Sequence, residues 1–121
     1  MRKILIADDS LFMRKVLEGI LSKKSEYEIV EADTGEKTLK QFKKEKPDLV
    51  LLDIIMPEGE EEGLRALQEI IKTNPKAQVV MVTAVGQDTI IEKCKKLGAR
   101  DYITKPFDEK HVIETVEKYL S

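Results

Sequence analysis

Short apolar runs alternate along this chain with longer stretches of helical periodicity, and the alternation repeats from end to end. The runs predict strands at residues 3–8, 27–32, 48–53, 78–83 and 100–104, rich in the Ile, Val and Leu that suit a pleated surface. Between them, Met13, Val16, Leu17, Ile20 and Leu21 line one face of a first helix, and Leu64, Leu67, Ile70 and Ile71 one face of a third. Ile90, Ile91, Cys94 and Leu97 do the same for a fourth, and Val112, Ile113, Val116 and Leu120 for a fifth. Such stripes pack onto a sheet. The second helix, between Thr34 and Glu45, has only Leu39 and Phe42 as strongly apolar positions and is expected to be largely exposed.

Boundary residues support this division. Ser10, Thr34 and Asp108 are suited to N-caps, Gly98 to a left-handed residue ending the fourth helix, and Pro47 and Pro75 cannot extend helices two and three. Five alternating units predict an α/β fold, a parallel sheet with right-handed crossovers and helices on both faces. The continuous runs LVLL and VVMV fit central strands buried on both sides.

A chain of 121 residues is expected to form one domain, 1–121. With 36% charged and 41% apolar residues and a net charge of -2, the composition points away from disorder and from nucleic-acid binding. No run suits a signal peptide or a bilayer span, so no membrane association and a cytoplasmic location are expected. The single cysteine, Cys94, permits no internal disulfide and reads as a small core residue. No Cys/His spacing suits zinc, and His111 reads as a surface residue.

The strand ends carry the chemistry. Asp8 and Asp9 close the first strand, Asp53 the third, Thr83 the fourth, and Lys105 with Pro106 follows the fifth, so in one parallel sheet they meet at its carboxyl edge. Two unit charges ~4 Å apart repel by about 1 kcal/mol in water and roughly 4 kcal/mol at an effective dielectric near 20. Lys105 offsets one charge, and the remaining hard oxygen donors suit Mg2+. An ammonium group and Mg2+ together stabilise the oxygens of a transferring phosphoryl group. One carboxylate would then be the nucleophile, giving an aspartyl phosphate. Asp53, alone at the end of the middle strand, is the candidate, while Asp8 and Asp9 form a pair suited to the metal. Each aspartate alone could be a turn residue; the joint set is what points to chemistry.

Four stretches carry a resemblance: ILIADDSLFMR from Ile4, DLVLLDIIMP from Asp48, VTAVGQ from Val82 and LGARDYITKPF from Leu97. Together they resemble a response-regulator receiver domain over nearly the whole chain. The resemblance implies a doubly wound five-stranded parallel sheet of order 2-1-3-4-5 with five helices, the flavodoxin-like arrangement for which a chemotaxis receiver is a known example. It implies that Asp53 accepts a phosphoryl group from a sensor histidine kinase. Asp9, Asp53 and the backbone carbonyl of Ile55 would bind Mg2+, with Asp8 acting mainly through water on the ion. Lys105, the Thr83 hydroxyl and the Ala84 amide would contact the phosphoryl oxygens, and the Lys105–Pro106 bond would be cis. Thr83 would be the sensor and Tyr102 the switch aromatic, reshaping the surface of the fourth helix, fifth strand and fifth helix where a downstream effector binds. Such a domain is not an enzyme with a separate substrate; it catalyses only its own phosphorylation and dephosphorylation.

The segments DDSLFMRK and AVGQ are closer to chemotaxis regulators, which favours a flagellar-motor or chemotaxis effector. Because the chain ends directly after the fifth helix, a stand-alone regulator is expected; a monomer is also expected. The alternative is a phosphorelay intermediate passing its phosphoryl group to a histidine phosphotransfer protein. A Mg2+-dependent phosphatase with an aspartyl intermediate is disfavoured because Ile54 and Ile55, rather than an acid, follow Asp53. A flavin site is disfavoured because three acids would repel its phosphate.

Two features depart from the resemblance or refine it. Gly63 falls six residues after Pro57 rather than four, making the loop Glu58–Gly63 longer and more acidic. It is expected to be a solvated flap, the other reading being a docking element or an altered approach to the metal. Ile55 and Val85 occupy positions that flank the route of the hydrolytic water in the family; both are apolar, so slow self-dephosphorylation is expected.

Overall fold

The structure, a computed structural model, describes residues 1–23, 26–59 and 61–121. In chain order the elements are β1 (Arg2–Ala7), α1 (Leu11–Leu21), β2 (Tyr27–Ala32), α2 (Gly35–Glu45), β3 (Leu49–Leu52), α3 (Glu62–Thr73), β4 (Val79–Thr83), α4 (Asp88–Lys96), β5 (Asp101–Thr104) and α5 (Glu109–Leu120). The strands form one parallel sheet in the order β2-β1-β3-β4-β5, as expected. Asp8 and Asp53, taken from the sequence as strand residues, lie just past the ladder, but their amides still bond across it, to the carbonyls of Ala32 at 3.0 Å and Ala7 at 2.9 Å.

Alternation within the strands splits the interior into two cores. Leu5, Val50, Leu52, Val79 and Met81 point to one face, where Phe42 of α2, Leu64, Leu67 and Ile70 of α3 and Cys94 of α4 cover them. Ile4, Ile6, Leu49, Leu51, Val80 and Val82 point to the other, under Leu17, Ile20 and Leu21 of α1 and Val112, Val116 and Leu120 of α5. Fully burying each of these large side chains stabilises by about 1.5–3 kcal/mol. Cys94 belongs to the first core, and burial pushes its thiol up; His111 is exposed.

Capping follows the sequence. Ser10 accepts from the Met13 amide at 3.1 Å, Thr34 from the Lys37 amide at 3.0 Å and Asp108 from the Lys110 amide at 3.1 Å. Gly98 takes the left-handed conformation after α4 with φ 113°. Lys46 ends α2 in the same region, φ 48°, immediately before Pro47.

α2 is less peripheral than its apolar pattern implies. Its outer face, with Lys37, Lys40, Lys43 and Lys44, is exposed, but Gly35, Thr38 and Phe42 are buried. Thr38 can be buried because its hydroxyl donates to the Thr34 carbonyl at 2.7 Å, so no polar group is left unpaired.

Gly63, at the start of α3, packs directly on the backbone that follows β3. Its amide donates to the Ile54 carbonyl at 2.7 Å, and a Cβ there would lie 2.0 Å from the Asp53 carbonyl oxygen and 2.4 Å from the Ile54 Cα. The extra loop residues therefore leave this close contact in place. Gly63→Ala should lower stability by at least about 2 kcal/mol, as overpacking against backbone does. Gly19→Ala, with nothing within 4 Å of the new methyl, should raise it by about 0.5–1 kcal/mol. Urea unfolding of the two variants checks both, and equal midpoints would contradict the packing of Gly63 against Asp53.

Candidate functional site

Strand register assembles the site. Ala7 pairs with Leu52, so the next residues, Asp8 and Asp53, leave adjacent strands side by side. Thr83 pairs with Thr104, and the Lys105 amide donates to the Thr83 carbonyl at 2.8 Å, which places Lys105 at the same edge from the other side. The Lys105–Pro106 bond is cis.

The charged groups meet there. The Lys105 Nζ donates to Asp8 Oδ2 at 2.6 Å and to Asp53 Oδ2 at 2.9 Å. Asp8 is 2% exposed and Asp53 6%, whereas Asp9 is open to solvent. Carboxylate oxygens of Asp8, Asp9 and Asp53 lie within 4.8 Å of one another. Burial pushes the Asp8 carboxyl above its ordinary range, and the bonds from Lys105 and the Ser10 amide offset that only in part. Burial also disfavours the charged form of Lys105, but its bonds to Asp8 and Asp53 outweigh this and raise its pKa. One ammonium group thus faces three carboxylates, and a set of hard oxygens with one solvent-open member suits Mg2+. Asp53 also turns the chain that follows it: its Oδ1 accepts from the Ile55 amide at 3.2 Å. Ile55 itself is 42% exposed.

Beside this cluster, Thr83 and Tyr102 converge on one residue. Thr83 is fully buried, and its hydroxyl accepts a long hydrogen bond, 3.4 Å, from the Val85 amide. The Tyr102 hydroxyl donates to the Val85 carbonyl. Burial, with smaller contributions from Cys94 and Asp53, pushes the Tyr102 pKa up to about 12, so the phenol remains a neutral donor at ordinary pH. Ala84 lies exposed between Thr83 and Val85.

Other residues that support the site carry no signal in the apolar pattern. Arg14, from α1, donates to the Asp8 carbonyl at 2.6 Å and to Glu31 Oε1 at 2.8 Å, fixing the turn that presents Asp8. Although partly desolvated, Glu31 is held below the usual carboxylate range by Arg14 and Lys15. Spacing within the helix could place Arg14 over the strand end, but nothing in the sequence names a backbone carbonyl as its partner.

The loop expected to be a solvated flap is exposed at Pro57, Glu58 and Glu61, and it is also tied down at Glu58. The Met56 and Gly59 amides and carbonyls bond reciprocally, at 3.2 and 3.0 Å, closing a tight turn. From that turn the Glu58 carboxylate accepts from the Gly35 amide at 3.0 Å and the Glu36 amide at 3.1 Å, at the N-terminus of α2. The Gly35 bond is the main reason its pKa falls below the ordinary value. The loop is solvent-exposed, as expected of a solvated segment, but it is anchored at Glu58 because a helix N-terminus offers unpaired amides and a positive dipole end to a nearby carboxylate. Glu60 lies outside the described residues.

A doubly wound parallel sheet with three acids, a threonine and a lysine at its carboxyl edge defines a receiver-type signalling fold. The response regulator receiver domain family matches residues 4–117, and the chain belongs to that family. It is 44% identical to the chemotaxis protein CheY of Listeria monocytogenes over 98% of both chains. It is 39% identical to CheY of Thermotoga maritima, over 97% of this chain and 96% of that one. Among solved structures, the CheX–CheY–BeF3–Mg2+ complex from Borrelia burgdorferi matches with a TM-score of 0.91 and 31% identity, over 99% of this chain and 90% of the other.

The crowding of charge has a measurable consequence. Asp9→Asn removes one of three like charges and gives up roughly 0.5 kcal/mol of helix-dipole interaction at α1. Relief of repulsion is the larger effect, so the variant should be more stable than the parent by about 1 kcal/mol in EDTA. Urea unfolding measures this, and a lower midpoint for the variant would count against mutual repulsion at the site.

Proposed function

We propose that this response regulator takes a phosphoryl group onto Asp53 from the phosphohistidine of a sensor kinase, in a Mg2+-dependent reaction, and thereby changes its binding to an effector protein in chemotaxis. The carrying observation is the Asp53 carboxylate, buried at the carboxyl edge, with Lys105 at 2.9 Å and two further acids beside it. The support for chemotaxis is the near full-length similarity to CheY proteins, and the Borrelia CheY crystallised with BeF3 and Mg2+ supports the metal. Residues 1–121 would act as one receiver domain, in the cytoplasm where a kinase's phosphohistidine is available.

Asp9, Asp53 and the Ile55 carbonyl would hold Mg2+, with Asp8 beside them. When bound, the ion neutralises charge on the transferring phosphoryl group and on its acceptor. A carboxylate oxygen of Asp53 attacks phosphorus in line with the departing imidazole nitrogen, so one P–O bond forms as one P–N bond breaks. Lys105 moves its bond from Asp53 to the phosphoryl oxygens, and the Thr83 hydroxyl and Ala84 amide supply further donors. As the Thr83 hydroxyl turns to that group it releases the long bond to Val85, and the Tyr102 bond to the Val85 carbonyl then sets the course of the loop into α4. The phosphoryl group shifts the balance of states only by binding one more tightly than the other. The α4-β5-α5 face is the effector surface in this reading.

Intact mass after incubation with acetyl phosphate tests the acceptor. One phosphoryl addition is expected with Mg2+, none in EDTA, and none in Asp53→Asn; an addition retained by that variant would place the chemistry elsewhere. The decay of the phosphorylated form tests the flanking positions. Ile55→Asn combined with Val85→Glu introduces groups able to orient water and should speed hydrolysis by roughly tenfold or more. Equal decay rates would exclude a role for the two apolar side chains.

A further inference from the structure

The turn after β3 is joined to α2 by a side chain that the family motif does not assign. The Glu58 carboxylate spans two successive amides, those of Gly35 and Glu36, while Thr34 Oγ1 accepts from the next, that of Lys37. The first three amides of α2 are thereby satisfied by two side chains, one of them from a different part of the chain. The same turn is held at its base, by the Met56–Gly59 pair and by the bond of Gly63 to the Ile54 carbonyl. At its start stands Ile55, whose amide is bonded to the Asp53 carboxylate. From Asp53 to α2 there is thus a continuous series: carboxylate to Ile55 amide, Met56 to Gly59, and Glu58 to the helix.

We propose that Glu58 is a positioning residue for the metal site: by fastening the Met56–Gly59 turn to α2, it holds the Ile55 carbonyl where Mg2+ needs it. This rests on the phosphoacceptor reading and deepens it. The latch is suited to the task because the base of the turn is already held, and Glu58 adds a fixed point at its far end, which ties the whole turn to a helix. A carboxylate meeting two adjacent amides constrains orientation as well as distance. Glu58 touches neither phosphoryl donor nor ion; it acts through the backbone between residues 55 and 58.

The experiment compares the parent protein, Glu58→Ala, Glu58→Gln and Thr34→Ala. The last weakens the α2 cap by a similar amount and leaves the turn attached, so it separates helix stability from positioning. Mg2+ affinity is read by isothermal titration calorimetry with MgCl2, and labelling of Asp53 by intact mass with acetyl phosphate at limiting and saturating Mg2+. Glu58→Ala should weaken Mg2+ binding by about tenfold, the low end for lost supporting partners of a metal site. Its labelling should be slow at limiting Mg2+ and recover at saturation. Glu58→Gln, which keeps one acceptor oxygen, should fall between; it carries the test if the alanine variant does not fold. Thr34→Ala should bind Mg2+ as the parent does. Parent-like affinity in Glu58→Ala, or equal weakening in Thr34→Ala, would overturn the latch while leaving Asp53 as acceptor intact. A parent protein that neither binds Mg2+ nor becomes labelled would overturn both.

Discussion

Lys105 forms ion pairs with Asp8 and Asp53 at 2.6 and 2.9 Å, and among the described residues no other lysine or arginine pairs with either carboxylate. Asp9 adds a third negative charge within 4.8 Å. Breaking a buried pair by removing one partner typically costs 3–5 kcal/mol, roughly the worth of two large buried side chains. Three carboxylates served by one ammonium group persist this close together only where the surrounding structure enforces it, and the excess leaves an unmet demand for positive charge. That demand is what suits the edge to a divalent cation and to a transferring phosphoryl group.

Enforcement comes from the sheet. The central strands β3 and β4 are buried throughout and covered on both faces, so their ends have almost no freedom to retreat from one another. Gly63 lies against the backbone of Asp53 and Ile54, and Arg14 grips the Asp8 carbonyl from above. The β4–α4 segment is held differently. Its bonds are a long one to Thr83 and one from a tyrosine that is only half-buried. Rigid acids beside a loosely held loop is the division that the proposed phosphoacceptor role would require, with the acceptor fixed and the neighbouring surface free to move.

Much of this was legible in the amino-acid order, for identifiable reasons. Strand runs such as LVLL and VVMV announce themselves because both faces are buried, and Asp53, Thr83 and Lys105 stand out because polar residues at the ends of such runs meet at one edge. Thr38 was not legible: its burial depends on a bond to a backbone carbonyl one turn earlier, which residue type does not reveal. Glu58 was missed for a related reason. In a run of acids every member looks solvated, and only the approach of α2, set by packing against α3, selects the one that becomes a cap. Arg14 likewise gains its role from where α1 crosses the strand end. Interactions set by side-chain period are visible in sequence; those set by the meeting of two distant backbone segments are not.

The most direct measurement of the central claim is chemical trapping of the acceptor. An acyl phosphate is reduced by borohydride to the corresponding alcohol, so the protein incubated with acetyl phosphate and Mg2+, then treated with borohydride and digested, should yield homoserine at position 53. Homoserine at position 8 or 9 with aspartate intact at 53, or no reduction at any of the three, would contradict the account.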